Sequence, residues 1–373
     1  MLIRYKQTEN GKRKKLANVY SFDDHGLRKS QIAREALAVT SRLQRAGFDA
    51  YIVGGAVRDL LLGRRPKDFD VVTSAPPRRI RRIFRNSRII GKRFQLVHVF
   101  FGDTIIEVST FRADTSIDSD GIFGTMAEDV QRRDFTMNAL YYEPEKEHII
   151  DYVGGFDDIK NRRVRALVPL AVSFPEDPVR MIRALRYAAT TGFSLRGKLS
   201  RHIRRRAPLL QECPISRLTE ELFKILGSGN SADFFESASY HGLLTYLLPN
   251  VAEQFGQKTN PLFSEELVAS LRKLDREVLK KSEIKKGLML SSLSRPFFGT
   301  SITAADGFND RDPHLLRRDV FLRIKEIVSP LTPPNLEVDK AAGHILGKSA
   351  GKHHPKRRRR KRHPGRATEA KGR

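Results

Sequence analysis

Cysteine and long apolar runs are the two features that this chain of 373 residues most plainly lacks. Its single cysteine, Cys213, excludes an internal disulfide and a cysteine-based metal site. No apolar run reaches the length of a membrane span, and the first residues, MLIRYKQTENGKRKK, lack the apolar segment of a secretion signal. We therefore expect a cytoplasmic protein with no membrane partner.

Acidic residues are scarce relative to basic ones, since 69 lysines and arginines outnumber 43 aspartates and glutamates. The formal net charge of +26 and the isoelectric point near 10.4 indicate a polyanionic partner, either nucleic acid or an anionic membrane surface. The hydrophobic share of 39% can build the cores of two or three packed units. The composition therefore excludes a disordered protein.

A strand, a glycine turn and a short helix are predicted at the start of the stretch YIVGGAVRDLLLGRRPKDFDVVT. Ala50–Val53 is a short buried strand, and Gly54 and Gly55 let the backbone turn into a helix over residues 56–62, which Gly63 ends. Such a turn aims unpaired backbone N–H groups and the positive end of a helix dipole at one point, which suits a phosphate. Taken alone, a glycine pair after an apolar run is more often a plain turn.

Two aspartates follow this turn. Asp68 and Asp70 lead into an apolar run over residues 71–73 that is predicted to be a strand. Alternate side chains of a strand share a face, so the two carboxylates project the same way with Cα atoms about 6–7 Å apart. Short acidic side chains at this spacing can bridge a pair of Mg²⁺ ions. An isolated pair would be a solvated start of a strand, but beside a phosphate loop it fits a nucleotidyltransferase.

A third carboxylate belongs to a predicted hairpin. Strands over residues 95–101 and 105–110 are joined by a tight turn at Gly102 and Asp103, and Glu107 interrupts the apolar run of the second strand. An acidic residue in a buried strand is costly unless it is paired or bound to a metal, so Glu107 is the candidate third acid. The alternative is an exposed position on an edge strand.

Residues 125–128 are predicted to form a capping box that opens a helix. Behind that helix, Arg132 and Arg133 are suited to neutralise phosphate, and Asp134 and Asn138 to hydrogen-bond a ribose. The same run is equally compatible with a surface salt-bridge cluster beside a helix cap.

Positive charge is concentrated in two further places. A helix that starts near Pro77 carries a series of arginines, which either follow RNA or form an ordinary solvated face: Arg78, Arg79, Arg81, Arg82 and Arg85. Residues 352–373 hold eleven lysines and arginines against Glu369 alone, so about +10 of the net charge lies there. Such a tail cannot fold by itself and favours a salt-sensitive grip on any RNA backbone, the alternative being a role in solubility or partner contact.

Five spaced motifs now identify a family. They are Gly54-Gly55-x-Val57-Arg58-Asp59, Asp68-x-Asp70, Arg132-Arg133-Asp134-Phe135-Thr136-x-Asn138-Ala139, Asp151-Tyr152-x-Gly154-Gly155 and Glu176-Asp177-Pro178-x-Arg180. Over residues 25–225 the chain resembles the class II nucleotidyltransferases, which comprise bacterial poly(A) polymerases and CCA-adding enzymes. Residues 89–98, the segment from His25 to Phe48 and the basic tail resemble the poly(A) polymerases. Gln95 departs from that pattern, where a basic residue is more usual.

The resemblance implies a role for each motif residue. Asp68 and Asp70 would bind two Mg²⁺ ions, with Glu107 as the less certain third acid. The triphosphate would be held by Gly54, Gly55 and Arg58. Phosphates and ribose would be contacted by Arg132, Arg133, Asp134 and Asn138. Asp177 and Arg180 would present hydrogen-bonding edges to the base, since a carboxylate and a guanidinium together offer acceptors and donors.

The expected fold is α+β: a nucleotidyltransferase head with a small mixed sheet flanked by helices, then all-α neck and body domains and a disordered basic tail. The predicted domains are a basic arm (1–28), the catalytic head (29–155), the base-recognising neck (156–226), the RNA-binding body (227–347) and the tail (348–373). Order is expected to begin at Ser30, the N-cap of a helix that Gly47 ends. Residues 113–124 are predicted to be a mobile acidic loop beside the site, and 294–313 are irregular.

These features predict an enzyme that adds AMP to RNA 3′ ends without a template. The RNA 3′-hydroxyl would attack the α-phosphate of ATP, one metal ion lowering the pKa of the hydroxyl and the other stabilising the leaving pyrophosphate. The alternatives are a CCA-adding enzyme and, from another class, a non-catalytic RNA-binding protein, which would not need both Asp68 and Asp70. ATP and RNA 3′ ends are the expected partners, and the sequence indicates no particular protein partner.

Overall fold

The structure is a computed structural model that describes residues 2–7, 13–91, 95–113, 123–256, 260–281, 284–299 and 312–347. Several sequence predictions fall wholly or largely outside these residues. They concern residues 92–94 of the segment over 89–98, the acidic loop over 113–124, the irregular stretch over 294–313 and the tail over 348–373.

A mixed sheet of nine strands forms the head. Its strands are β1 (Leu2–Gln7), β2 (Arg13–Tyr20), β3 (Ala50–Val53), β4 (Asp70–Thr73), β5 (Ser87–Ile90), β6 (Leu96–Phe101), β7 (Thr104–Thr110), β8 (Leu140–Glu143) and β9 (His148–Asp151). They are ordered β1-β2-β9-β8-β3-β4-β7-β6-β5, and β4 and β7 are parallel while the other neighbours are antiparallel. The sheet is mixed, as predicted, and larger than predicted.

The expectation that order begins at Ser30 is wrong. Strands β1 and β2 pair with each other, and β2 continues the sheet by pairing with β9. Ala17, Val19 and Tyr20 of β2 are buried. Backbone hydrogen bonds to β9 hold this segment in place. Its polar composition does not reveal them, because backbone hydrogen bonds do not depend on side-chain type. The helix that was predicted to start after Ser30 begins at Arg34, and Ser30 itself lies in a short 3-10 helix, Lys29–Gln31.

Helices cover the head and build the rest of the chain. Those of the head are α1 (Phe22–His25), α2 (Arg34–Arg45), α3 (Gly55–Leu61), α4 (Pro77–Ile83), α5 (Met126–Gln131) and α6 (Gly155–Lys160). The remainder are α7 (Leu170–Glu176), α8 (Val179–Thr191), α9 (Gly197–Arg206), α10 (Ile215–Leu226), α11 (Ser231–Tyr240), α12 (Leu244–Leu247), α13 (Pro249–Gln254), α14 (Pro261–Lys280), α15 (Lys286–Ser294), α16 (Pro313–Ile327) and α17 (Asn335–Ile345). This part is helical as predicted, except for a parallel ribbon of β10 (Arg163–Val164) and β11 (Ser194–Leu195).

The two faces of the sheet are buried in separate apolar clusters. Ile52 and Val71 belong to the cluster that continues into the helical part of the chain, whereas Tyr51, Val53 and Val72 belong to the cluster on the other face. This alternation follows from the two-residue period of a strand. The central strands β3 and β4 are therefore held rigidly, and the chain segments at their ends are fixed in place.

The motif at residues 151–155 supports the fold. The carboxylate of Asp151 is buried and accepts hydrogen bonds from four successive backbone N–H groups, those of residues 153–156, at 2.8–3.1 Å. A Cβ atom at Gly155 would lie 2.1 Å from the carbonyl oxygen of Thr136, so a residue with a side chain does not fit. This turn locks α6 against the segment that carries Asn138.

Among the described residues, no helix is both long and apolar enough to cross a membrane.

Candidate active site

The glycine turn lies where β3 ends and β4 begins. Val53 and Asp70 are paired in the antiparallel register of these strands, so the turn and the second aspartate are neighbours. Gly54 has φ of +77°, which explains why glycine is required, since a Cβ there would meet Asp70 and Arg133 only at ordinary contact distances of 3.8 and 3.9 Å. The predicted strand, turn and helix are confirmed, with the helix starting at Gly55.

Three carboxylates approach one another beside this turn. Asp70 is the first residue of β4, and it lies opposite Glu107 on the adjacent parallel strand β7. Asp68 lies two residues before β4 and outside the strand, yet its charge acts on Asp70, so that the two aspartates are near each other as predicted. The strand pairing adds Glu107 to them.

The cluster of three carboxylates has too little positive charge around it to balance its negative charge. Asp70 lines a cleft and is exposed to solvent, while neighbouring protein atoms still displace part of the water around its carboxylate. This burial, together with the charges of Glu107 and Asp68, raises the pKa of Asp70 from 3.8 to about 6, against a lowering effect of Arg133. A bound cation would relieve the repulsion among the three carboxylates.

Glu107 is held less closely in this cluster than the two aspartates. Its side chain is 54% exposed, and one carboxylate oxygen lies 3.3 Å from Nε2 of His98 on β6. The strand β7 is internal to the sheet, so the alternative of an edge position is wrong while the alternative of an exposed side chain is correct. Within the described residues no three His, Cys, Asp or Glu side chains converge tightly enough to form a ready metal cage.

Arg58 is the buried cation of the site. It lies on α3 with 8% of its surface exposed, and its Nη2 atom is 3.5 Å from where a Cβ of Gly55 would be. Nε and Nη2 donate to Asp59 Oδ1 at 2.9 and 2.8 Å, and Nη1 donates to Asn138 Oδ1 at 2.8 Å. The guanidinium carbon is also 5.2 Å from the ring centre of Tyr187 on α8. Its orientation is therefore fixed.

Asn138 connects Arg58 with Asp134. Its Nδ2 atom donates to Asp134 Oδ1 at 3.3 Å, and the other Asp134 oxygen lies 3.6 Å from Arg183 of α8. In this structure these two residues position the guanidinium of Arg58, and neither lines the cleft.

The adjacent arginines have different environments. Arg133 is half-buried: Nη2 donates to Asp129 at 2.9 Å and Nε donates to the hydroxyl of Tyr141 at 3.0 Å. Burial acts to lower the pKa of Arg133, but Tyr141 and Asp129 outweigh that effect and raise it. Arg132 is exposed and donates to the carbonyl of Ala113 at 2.5 Å. For Arg133, these contacts favour the salt-bridge cluster over the alternative of a phosphate contact.

A cleft of about 2000 Å³ separates the glycine turn from the helical part of the chain. Its lining contains ten lysines and arginines against five aspartates and glutamates, a balance that favours polyanions. The cations are Arg58, Arg64, Arg65, Lys67, Arg183, Arg186, Lys224, Lys285, Lys286 and Lys340. The acids are Asp59, Asp68, Asp70, Glu220 and Glu337.

One face of α8 lines the cleft, and sequence reasoning did not assign it a site role. Arg183, Arg186, Tyr187 and Thr190 all face the cleft. Their spacing of three, four and seven residues places them on the same side of a helix, and this signal is present in the sequence.

Glu221 of α10 fixes the two arginines of that face. It is 2% exposed, and its carboxylate lies 3.4 Å from both Arg183 and Arg186 and 3.2 Å from Lys224. Burial alone would raise the pKa of Glu221, but Arg186, Lys224 and Arg183 together lower it. Glu221 therefore positions these cations and does not itself line the cleft.

Asp177 and Arg180 are not brought to the cleft in this structure. Asp177 accepts from Arg217 at 3.0 and 3.1 Å, whereas Arg180 donates to the hydroxyl of Ser173 at 2.9 Å and lies 3.9 Å from Glu176. Neither residue lines the cleft. The proposed reading of a base by this pair stays a prediction.

Two regions of the chain match known protein families. The family described as "Poly A polymerase head domain" matches residues 50–165, and that described as "Probable RNA and SrmB- binding site of polymerase A" matches residues 192–255. The chain is 36% identical to "Poly(A) polymerase I" of Salmonella typhi over 73% of its own length and 62% of that protein. The chain belongs to the class II nucleotidyltransferase family.

Other members of this nucleotidyltransferase family are also similar. The "CCA-adding enzyme" of Geobacillus thermodenitrificans is 39% identical over 59% of this chain and 56% of that protein. The solved structure of the Bacillus stearothermophilus CCA-adding enzyme in complex with CTP has a TM-score of 0.57 and 27% identity, covering 84% of this chain and 82% of that one. The chain spans about three fifths of the length of the curated poly(A) polymerase relatives.

Replacing Arg133 with methionine is expected to destabilise the nucleotidyltransferase head by about 3 kcal/mol, because Asp129 would be left as a buried charge without its partner. The same change at the exposed Arg132 is the matched control and should cost less than about 1 kcal/mol. Chemical unfolding followed by circular dichroism measures both values. Equal losses for the two variants would contradict the buried-pair interpretation.

Proposed function

We propose that this chain is a template-independent RNA nucleotidyltransferase that transfers AMP from ATP to RNA 3′-hydroxyl groups and releases pyrophosphate. The observation that carries this proposal is the meeting of Asp68, Asp70 and Glu107 with the glycine turn and Arg58, at one end of a cationic cleft. A carboxylate cluster beside a phosphate-sized cationic position is the arrangement that phosphoryl transfer requires.

The acidic residues fit divalent metal ions. Nucleotidyltransferases of this family use ATP and divalent metals in general. Carboxylate oxygens are the ligands that Mg²⁺ prefers, and a cation would offset the repulsion that Glu107 and Asp68, in addition to desolvation, exert on Asp70. We assign Asp68 and Asp70 to hold two Mg²⁺ ions, with Glu107 as the third acid. When bound, such ions supply activation of the hydroxyl and neutralisation of the leaving pyrophosphate.

Arg58 is assigned to the triphosphate together with Gly54 and Gly55. Three of the five N–H groups of its guanidinium donate to Asp59 and Asn138. Two N–H groups thus remain for phosphate oxygens, and because the side chain is already held in place, little rotational entropy is lost on binding. Asn138 and Asp134 would act by orienting this arginine, and Arg132 and Arg133 by supplying positive charge nearby.

The RNA 3′ end would enter along the lysine side of the cleft. Lys67 lies on one wall of the cleft. Its Nζ donates to the carbonyl of Gly227, the residue after α10, at 2.9 Å, so the head and the end of α10 are joined there. Lys224, Lys285 and Lys340 belong to the positive lining of the same cleft. Lysines on this path contact phosphates without reading bases, which suits a substrate of any sequence.

The choice of AMP rests on the relatives and on the charge of the chain. Several curated relatives, at 36–41% identity, are named Poly(A) polymerase I. The sequence also concentrates charge in a tail suited to any phosphate backbone. The second candidate is a CCA-adding activity, which the similarity to CCA-adding enzymes in sequence and in structure favours.

One assay separates these activities. ATP, CTP or both are offered with Mg²⁺ to an unrelated single-stranded RNA and to a tRNA that ends before its CCA, and the products are sized on a sequencing gel. We expect runs of A on both RNAs with ATP, released pyrophosphate in equal amount, and no arrest after a CCA triplet. Extension of the tRNA alone, by no more than CCA, would establish the second candidate. No transfer to either RNA, with RNA binding retained, would instead indicate the non-catalytic binding protein.

A further inference from the structure

One face of the sheet in the head is open beside the candidate active site. The apolar cluster that contains Tyr51, Val53 and Val72 covers this face over β3 and β4, and among the described residues it includes none from β5, β6 or β7. The opposite face of β6 and β7 is buried in the other apolar cluster, through side chains such as Val99 and Val108. In the described part of the chain, these strands are therefore packed on one face and open on the other.

Strand register places the carboxylates at the border of this open face. Asp70 of β4 is paired with Glu107 of β7. In turn, Glu107 is paired with His98 of β6, and His98 with Arg88 of β5, the edge strand. Side chains of residues paired in this way project from the same face of a sheet, about 5 Å apart from strand to strand. A row of polar side chains thus runs from Asp70 across the open face to Arg88.

An exposed aromatic ring lies next to this row. Phe100 of β6 and Ile105 of β7 are paired with each other and are 36% and 46% exposed. They lie two residues from His98 and Glu107 and so share their face of the sheet. The ring centres of Phe100 and His98 are 6.3 Å apart, and Nε2 of His98 is 3.3 Å from a carboxylate oxygen of Glu107. We call His98, Phe100 and Ile105 the hairpin platform, which measures about 7 Å along the strands and about 5 Å across them.

The strand order separates the two reacting groups. The strand β4 lies between β3, which leads into the glycine turn, and β7, which is followed by β6. In phosphoryl transfer the attacking and leaving oxygens lie roughly in line, on opposite sides of the phosphorus. With the triphosphate at the glycine turn and Arg58, the attacking hydroxyl comes from the side of β7 and β6. The hairpin platform lies on that side.

We propose that the hairpin platform is the subsite for the 3′-terminal nucleotide of the RNA, whose base stacks on Phe100 while its 3′-hydroxyl reaches the carboxylates. An exposed aromatic ring stacks on an unpaired base of any kind, which suits an enzyme that extends RNAs of different sequence. The rest of the RNA follows the cleft, so only the last base lies on the platform. The inference rests on the proposed function in taking an RNA 3′ end as the acceptor.

Size and charge favour a nucleotide over a protein as the occupant. A stable protein–protein interface buries about 800 Å² on each partner, and three partly exposed side chains offer far less. Arg88, exposed at the far end of the row, places a cation beside the platform, which favours a ligand that carries phosphate. The base of ATP is the alternative occupant, and kinetics distinguish it from RNA.

The first test removes the terminal base from the RNA and the ring from the protein. Two short single-stranded RNAs carry a fluorophore at the 5′ end, and one of them lacks the base of its 3′-terminal nucleotide. Binding is measured by fluorescence anisotropy with Mg²⁺ and without ATP, so that no nucleotide is added. We expect wild type to bind the RNA that lacks this base about tenfold more weakly, and Phe100→Leu to bind both RNAs equally, at the weaker value.

Two further variants control for the change. Phe100→Tyr keeps the ring and should distinguish the two RNAs as wild type does, because stacking needs the ring. Leu322→Ala removes an exposed apolar side chain from α16 and should also distinguish them. Equal binding of both RNAs by wild type, a comparison that needs no variant to fold, would overturn the proposal. So would a Phe100→Leu variant that distinguishes the RNAs as strongly as wild type does.

The second test compares Michaelis constants. At saturating ATP, Phe100→Leu should raise KM for the intact RNA about tenfold, while KM for ATP at saturating RNA stays at the wild-type value. The reverse result, a raised KM for ATP with an unchanged KM for RNA, would assign the platform to the base of ATP and show that the proposal is wrong.

Binding and transfer are scored separately on the same preparations. If wild type transfers no nucleotide but distinguishes the two RNAs through Phe100, the subsite stands and the proposed function fails. If transfer occurs while Phe100→Leu and wild type distinguish the RNAs equally, the proposed function stands and the subsite is wrong.

Discussion

Replacing Asp70 with asparagine is expected to lower nucleotide transfer by at least about a thousandfold while leaving the fold and RNA affinity intact. Asparagine has nearly the same volume, but it is neutral and binds Mg²⁺ poorly. Loss of several kcal/mol of transition-state stabilisation by a metal ion corresponds to a rate loss of this size. The rate of AMP incorporation at saturating ATP and RNA measures the effect.

A matched variant controls for charge. Asp103→Asn changes an exposed aspartate in the β6–β7 turn, away from the cluster, and should leave the rate within about twofold of wild type. A second readout does not depend on turnover: Mg²⁺ should raise the melting temperature of the wild-type chain at pH 8 and should not raise that of Asp70→Asn. Near-normal turnover of Asp70→Asn in Mg²⁺ would refute the metal role.

The same variant should be more stable than wild type in EDTA at alkaline pH. The pKa of Asp70 is about 6 when folded and near 3.8 when unfolded, so both states are protonated below pH 4. As pH rises above 4 the unfolded chain loses this proton first, and folding loses stability until the folded carboxyl is also ionised above pH 6. Allowing for the solvent contact of Asp70, we expect Asp70→Asn to gain about 1 kcal/mol at pH 8 and little near pH 4. Urea unfolding at both pH values measures this difference.

Replacing Arg58 with glutamine is expected to reduce kcat/KM for ATP by about a hundredfold or more. The variant loses a fixed cation with two N–H groups available to phosphate, and each charge-assisted hydrogen bond contributes about 1.5–3 kcal/mol. Arg58→Lys should recover only a small part of the loss, because an ammonium group cannot donate to Asp59, Asn138 and a phosphate in one plane. Initial rates over a range of ATP concentrations give both constants.

The control for Arg58 is Arg45→Gln on α2, an exposed arginine whose Nε donates only to the carbonyl of Ser41. Its kcat/KM for ATP should equal that of wild type. RNA affinity should be nearly unchanged in both variants, since a single triphosphate-binding cation contributes little to the RNA contact. If Arg58→Gln lost RNA affinity and ATP use to the same extent, Arg58 would have to be assigned to the RNA.

Short-range patterns explain which parts of the head were predictable. The strand Ala50–Val53, the turn at Gly54, the β6–β7 hairpin and the capping box that opens α5 all depend on neighbouring residues, and each is present in the structure. The N-terminal strands are not evident from the sequence because the segment is polar, and its order comes from the pairing of β2 with β9, more than a hundred residues away. Pairing over such a distance leaves no periodic signal in a short window.

The sequence by itself determined the chemistry available to this protein: the carboxylates, the glycine turn, the excess of cations and the order of the motifs along the chain. Only the tertiary structure decided which of these groups meet. Strand register brings Glu107 beside Asp70, helix packing lines the cleft with Arg183 and Arg186, and Arg58 is brought into hydrogen-bonding contact with Asn138. The physical reason is that side-chain type follows from local sequence, whereas the burial and the neighbours that set charge and orientation come from segments distant in the chain.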